Sequence, residues 1–314
     1  MRLYSLSAAA KINLYLEVIG DRPDGYHELV MIMQSVSLAD RVTVRSLVTP
    51  EIRLQCDHPE VPTDTTNLAY QAAALLQAKF PEVVRPQGGV EITIEKQIPV
   101  GAGLAGGSTN AAATLVGLDL LWNLGLTQGE LQVLGAELGS DVPFCIAGGT
   151  AIATGRGEQI DSLYGVDTLY AVLAKYHSLT VSTPWAYKTY RQHFASTYVD
   201  IHADGPHRQE SVRSGPIVSE LAKQDKQGIG QHLHNDLEKV VLPAHAKVKE
   251  LKETLASCGG LGTLMSGSGP TVFTLAADQA QANDIAARVR SHIPDPDLGI
   301  WVTQLIPTGI QLTT

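Results

Sequence analysis

The chain reads as a protein of mixed helices and strands, built on an antiparallel or mixed sheet and long enough for two domains. Three observations carry that reading. Strand patterns follow one another with short turns over 11–47, before any helical pattern, which argues against βαβ repetition. A strand, a glycine loop and a helix succeed each other across 90–122. The chain closes as strand, strand, helix, strand over 262–266, 271–276, 279–292 and 299–306. At 314 residues it can bury a large core.

In order, 11–19 (KINLYLEVI) alternates cleanly, with Ile12, Leu14, Leu16 and Val18 expected on one face and Lys11, Asn13, Tyr15 and Glu17 on the other. A turn at 21–25 holds Pro23 and Gly25, and strands are expected at 29–38, 41–47 and 51–55. A helix is expected over 67–80, a strand over 90–95 and an apolar helix over 111–122. Thr127-x-x-Glu130 is a capping box opening a helix that ends near Gly139. Gly148-Gly149 leads into a strand over 150–154 that closes the first part. Beyond it, a buried strand is expected at 168–175 and a helix at 183–193 with Pro184 in its first turn. Residues 195–215 lack periodicity and read as a solvated, weakly ordered surface loop. Helical material dominates 217–258.

The composition, 44% hydrophobic and 18% charged, is ordinary for a globular protein, and no apolar run approaches the ~20 residues of a membrane span. The N-terminal residues place a lysine among apolar positions and then alternate, which argues against a signal peptide and for the cytoplasm. A net charge of −9 disfavours nucleic acid and membrane surfaces as partners. Cys56, Cys145 and Cys258 are far apart and read as reduced, structural thiols.

The stretch Pro99-Val100-Gly101-Ala102-Gly103-Leu104-Ala105-Gly106-Gly107-Ser108-Thr109 organises the rest. Its glycines let backbone approach a ligand, and the helix that follows offers unpaired N–H groups and a dipole to an anion. The expected anion is a phosphate chain, with Ser108 and Thr109 adding hydroxyls and Ser108 the best candidate ligand for Mg²⁺. Gly101-x-Gly103-x-x-Gly106 also satisfies the dinucleotide pattern. However, Asp119, at the spacing of its acidic residue, lies inside the helical run, and a helix follows where a strand should be. No lysine precedes Ser108 as a Walker loop requires, and no H-R-D or D-F-G set is present. Phosphoryl transfer also needs a group for the acceptor's proton and a cation. Asp141 is the best base, its other reading being a helix cap before Pro143; Lys11 is the candidate cation, its other reading a solvated strand lysine.

Pro99-x-Gly-x-Gly-Leu-x-Gly-Gly-Ser108 resembles the phosphate-binding motif of the GHMP small-molecule kinases. Ala10-Lys-Ile-Asn13, Asp24-Gly-Tyr-His-Glu-Leu29, Gly139-Ser-Asp-Val-Pro-Phe144, Gly148-Gly-Thr150, Thr154-Gly-Arg-Gly-Glu158, Asn235-Asp-Leu-Glu238 and Met265-Ser-Gly-Ser-Gly-Pro270 resemble the same family, in family order. They point within it to the branch that phosphorylates the 2-hydroxyl of a CDP-linked methylerythritol, in the non-mevalonate isoprenoid route. The resemblance implies an α+β fold of two domains: residues 1–162, like ribosomal protein S5 domain 2 and carrying the ATP loop, and residues 163–314, ferredoxin-like. It further implies Asp141 as the catalytic base, Lys11 as the residue that orients the hydroxyl, and residues 99–109 as the ATP loop. Asn13 would meet the erythritol portion, Tyr26 would stack on the cytosine and His27 would hydrogen-bond it. Tyr187 falls where the family has a second aromatic, although helix core is its equal alternative. Asn235 and the Gly267-Ser268-Gly269 loop would brace the site, and the turn also has a purely structural reading. ATP and Mg²⁺ are the implied cofactors, and the oligomeric state stays open. Three positions depart from the family pattern: Ala9 replaces Pro, Ala105 replaces Gly and Thr109 replaces Ser. The methyl of Ala105 restricts φ, so this residue is expected to avoid a glycine-type conformation. Another GHMP kinase, acting on homoserine, mevalonate or a sugar, and a catalytically silent nucleotide-binding protein are the alternatives.

Overall fold

The computed structural model describes residues 2–313. Long paired strands open the chain: β1 (Leu3–Asp21), β2 (His27–Leu47) and β3 (Ile52–Cys56). Helices α1 (Leu68–Lys79) and α2 (Pro81–Val84), strand β4 (Gly89–Glu95) and helices α3 (Gly106–Trp122), α4 (Gln128–Leu138) and α5 (Val142–Ala147) follow. The hairpin β5 (Thr150–Gly155) and β6 (Gln159–Ser162) completes this half. Its strands form one sheet in the order β12-β1-β2-β4-β3, where β12 is Ile310–Leu312, with β5 attached to β2 and β6 to β5. The last strand of the chain therefore returns to the first sheet. Apolar residues of α1, α3, α4 and α5 pack on Leu6, Val42, Val44, Ile92 and Ile94 of this sheet.

The second half comprises β7 (Tyr170–Tyr176), α6 (Thr183–Phe194), α7 (Gly205–Arg213), α8 (Pro216–Lys223), α9 (Lys226–Gln231) and the short β8 (His234–Asn235). Then come α10 (Glu238–Ala244), α11 (Ala246–Ser257), β9 (Gly262–Met265), β10 (Val272–Ala276), α12 (Gln279–His292) and β11 (Leu298–Gln304). Its sheet runs β11-β7-β10-β9 with every pair antiparallel, which is the ferredoxin-like order. Helices α11 and α12 cover one face. On the other face, Leu173, Phe273 and Leu275 share a cluster with Ile12, Leu14, Val30 and Ile32 of the first sheet. Among the described residues no helix is long and apolar enough to cross a membrane.

Several expectations change. β1 does not alternate throughout: its register against β2 shifts between Asn13 and Tyr15, so Leu14 is an extra residue. Parity flips there. Ile12 and Leu14 pack with Ile32, whereas Leu16 and Val18 join a different cluster with Met31 and Met33. Lys11, Asn13 and Leu16 consequently line one cleft, and Lys11 is buried there, against the alternative of a solvated strand lysine. The two strands expected at 29–38 and 41–47 are one strand, because the irregularity near Ala39 is a register shift opposite Ala9 and Ala10. The helix expected from 111 begins at Gly106, which puts Ser108 and Thr109 in its first turn. Residues 195–215 are not a weakly ordered loop. They form a short helical turn, Ala195–Thr197, and helix α7, which lies across β1 and β2.

Candidate active site

The glycine loop is held from behind by a buried acidic centre. Asp40, on β2, accepts the N–H groups of Gln97 (2.7 Å) and Ile98 (2.9 Å) and the Asn110 side-chain amide (2.8 Å), and pairs with Lys96. Its carboxylate has no solvent exposure, so these partners replace water outright. The loop is gripped in front as well. The Lys11 N–H donates to Leu104 O (3.1 Å), and the Ser266 hydroxyl, from the second half, donates to Gly103 O (3.1 Å). Gly103 has φ +73°, and a Cβ there would sit 2.5 Å from Ser266 O. Only glycine permits that approach.

Ala105 corrects the expectation made for it. It occupies the left-handed region at φ 58°, ψ 29°, as the residue immediately before α3. The methyl costs about 1 kcal/mol there, and the helix start demands the geometry. The N–H groups of Gly106, Gly107 and Ser108 lie in the first turn of α3 without intrahelical acceptors, beside an open face at Gly107. Residues Pro99 to Ser108 all line a cleft of about 800 Å³ between the two halves. Thr109 does not. Its N–H bonds Ala105 O (2.9 Å), and its hydroxyl is buried without a hydrogen-bond partner. One residue further round the helix, it faces the interior and is removed from the cleft.

Lys11 and Asp141 meet at the end of this loop. Lys11 Nζ donates to Asn13 Oδ1 (2.8 Å) and lies 3.6 Å from Asp141 Oδ2. Asp141 precedes α5, but its side chain makes no capping hydrogen bond. Its carboxylate remains partly exposed to the cleft. Asn13 is completely buried and donates to Met31 Sδ (3.5 Å). Nearby Cys145 is inert: burial, helped by Asp141, pushes its thiol pKa far up.

Aromatic residues furnish the other end. Tyr26 is half exposed at the rim, with the Arg156 guanidinium 4.9 Å from its ring centre. His27 stacks on Tyr187 at 5.2 Å and 30°, and meets the edge of Tyr198 at 6.1 Å and 84°. His27 Nε2 is buried with no hydrogen-bond partner, 3.6 Å from Asp21 Oδ1. Desolvation lowers the His27 pKa against the opposing pull of Asp21, so the ring is neutral and can donate or accept. Tyr187 lines the cleft, and burial raises its hydroxyl pKa. Lys96, Arg156, Lys188 and Arg191 join Lys11 in the wall, against Glu60 and Asp141. A chain with net charge −9 thus presents a locally cationic cleft.

The C-terminal half closes the floor. Buried Asn235 donates to Met265 O (2.7 Å) and Gly267 O (2.8 Å), and the Thr183 and Ser268 hydroxyls are 2.7 Å apart. Sequence reasoning missed Asp40, Lys96 and Asn110, and gave Arg156 no role although it noted the motif around it. The signal for Asp40 was an aspartate between the strand patterns at 29–38 and 41–47.

A glycine loop opening a helix, a buried lysine and a partly exposed carboxylate beside it, between two such halves, suit a small-molecule phosphotransferase. Residues 67–149 match the GHMP kinases N terminal domain and residues 217–295 the GHMP kinases C terminal. The chain belongs to the GHMP kinase family and is an ATP-dependent small-molecule kinase. Its relatives in Gloeothece citriformis and Nostoc punctiforme, each 60% identical and each covered to 99% with at least 99% of this chain, are 4-diphosphocytidyl-2-C-methyl-D-erythritol kinases. A crystal structure of 4-(cytidine 5'-diphospho)-2C-methyl-D-erythritol kinase superposes with a TM-score of 0.73 at 32% identity, over 96% of this chain and 98% of that one. Homoserine kinase from Cytophaga hutchinsonii, at 19% identity and TM-score 0.74 over 100% of this chain and 98% of that one, shares the fold.

Proposed function

We propose that the enzyme transfers the γ-phosphoryl group of ATP to the 2-hydroxyl of 4-diphosphocytidyl-2-C-methyl-D-erythritol, a step of the non-mevalonate route to isopentenyl diphosphate. The observation that carries this reading is the meeting of Lys11 and Asp141 between a backbone phosphate cradle and an aromatic wall suited to a flat base. Full-length relatives named for that acceptor support it.

Asp141 takes the proton of the hydroxyl as its oxygen bonds to the γ-phosphorus, and the bond from that phosphorus to the bridging oxygen of ADP breaks. Lys11, held by Asn13, orients the hydroxyl and offsets the negative charge that develops. The N–H groups of Gly106, Gly107 and Ser108 receive the phosphates. Asn13 stands behind Lys11 on the side of the erythritol portion, and Tyr26, Tyr187 and His27 receive the cytosine, His27 through Nε2. Among the described residues no cluster of three His, Cys, Asp or Glu could hold a metal. The Ser108 hydroxyl, which lines the cleft in the first turn of α3, is the side chain that would hold Mg²⁺. When bound, Mg²⁺ neutralises phosphate charge. Free cysteines and the use of ATP suit action in the cytoplasm.

The test is ADP release from Mg-ATP with this acceptor beside homoserine, mevalonate and galactose. Turnover with the CDP-linked acceptor alone is the expected result. Preference for any of the other three would keep the enzyme class and reject the acceptor.

A further inference from the structure

None of residues 195–213 lines the cleft, yet they enclose the turn that presents Tyr26 and His27. Tyr198 sets its ring edge against His27, whose face is stacked on Tyr187. The next residue, Val199, donates its N–H to Ile19 O (3.0 Å), extending the contact along the end of β1. Gly20 makes room for this segment, since a methyl there would lie 2.8 Å from Ile201 Cγ2. Helix α7 adds a polar grip. Arg208 Nε donates to Glu17 Oε1 (2.6 Å) and Gln209 Nε2 to Glu28 Oε1 (2.8 Å).

The second of these bonds leads directly to the aromatic turn. Glu28, nearly buried, also takes Arg22 on its other oxygen. Arg22 Nε donates to Asp24 Oδ2 (3.2 Å), and Asp24 Oδ1 accepts the N–H of Tyr26 (3.1 Å). A run of hydrogen bonds thus joins α7 to the backbone of the rim tyrosine. Arg22 and Asp24 are exposed enough that such links add little to folding stability. Their consequence is geometric: they limit where Tyr26 and His27 can stand.

We infer that residues 195–213 are a buttress for the acceptor's base, and that Tyr198 and Gln209 are positioning residues acting through His27 and Tyr26. The inference rests on the proposed acceptor, since only a ligand reaching the aromatic end would feel the buttress. ATP, held by the glycine loop at the other end of the cleft, would not.

Steady-state ADP release with the CDP-linked acceptor tests it, using wild type, Tyr198→Leu, Tyr198→Phe and Gln209→Ala. Tyr198→Leu should raise the acceptor KM roughly tenfold and Gln209→Ala roughly threefold, with kcat and the ATP KM within about twofold of wild type. Tyr198→Phe keeps the ring edge and should behave as wild type. An acceptor KM unmoved in Tyr198→Leu and Gln209→Ala, or an ATP KM rising in step with it, overturns the buttress while leaving the acceptor assignment intact. If Tyr198→Leu does not fold, Gln209→Ala decides alone. A wild type inactive with this acceptor takes both readings down.

Discussion

The two ends of the cleft are built on opposite principles. The glycine-loop end is backbone: N–H groups at the start of α3, made available by Gly101, Gly103 and the left-handed Ala105. All of it comes from one contiguous stretch. The acceptor end is side chain: Asn13 from β1, Tyr26 and His27 from a turn, Arg156 from the β5–β6 hairpin and Tyr187 from α6, with Tyr198 behind. A backbone cradle is sensitive to added atoms where chains touch, as at Gly103, but is indifferent to most side-chain chemistry. An aromatic pocket depends on ring placement and protonation. The two ends should therefore fail in different ways when perturbed.

The largest expected difference comes from Gly103→Ala. Its Cβ would press on Ser266 O, so unfolding stability should fall by about 2 kcal/mol or more and the ATP KM should rise at least roughly tenfold. Affinity for CDP, measured by calorimetry, should move far less. Equal loss at both ends would show that the loop and the aromatic pocket are one unit.

Acidification should strike the other end. The His27 pKa is lowered from its ordinary 6.5, so the folded protein takes up this proton only at pH below that value. The acceptor KM should be flat from neutral pH to about 6.5 and rise below it, by at most about tenfold per pH unit. Stability linked to neutral His27 has the same sign, present above the unfolded pKa and lost as pH falls through the folded one. His27→Gln should remove that limb of the acceptor profile while leaving the ATP profile as in wild type. An ATP KM with the same acid limb would break the division.

Ala105→Gly sharpens the comparison with the smallest effect. Relief of the left-handed methyl, partly offset by glycine's freedom in the unfolded chain, should stabilise the protein by roughly 0.5–1 kcal/mol in urea. Acceptor parameters should not change. Destabilisation would mean that the packing of this methyl against the first-half core outweighs its backbone strain.

The same contrast explains what could be read from the chain. That residues 99–108 form a cleft-lining loop was legible because strand, glycines and helix adjoin in sequence. Thr109 was misplaced because one step round a helix turns a side chain by about 100°, and the expected helix began five residues late. The Leu14 bulge was invisible because an unbroken apolar alternation carries no mark of an extra residue in the partner register. Asp40 and Lys96 meet across 56 residues, so neither announces the other. Segment 195–213 lacked an amphipathic stripe because its core residues Val199, Ile201 and Val212 do not recur at helical spacing, and its contacts to Glu17, Glu28 and His27 are polar or aromatic.

The central claim is that Asp141, next to Lys11, takes the acceptor's proton. The most direct measurement is a single-turnover reaction of Asp141→Asn with Mg-ATP and the CDP-linked acceptor, followed by ³¹P NMR, with CDP and ATP affinities measured on the same sample. A slowing of phosphomonoester formation by about 10³-fold, with both affinities within about twofold of wild type, is the predicted result. Phosphomonoester formed at the wild-type rate by Asp141→Asn would contradict it.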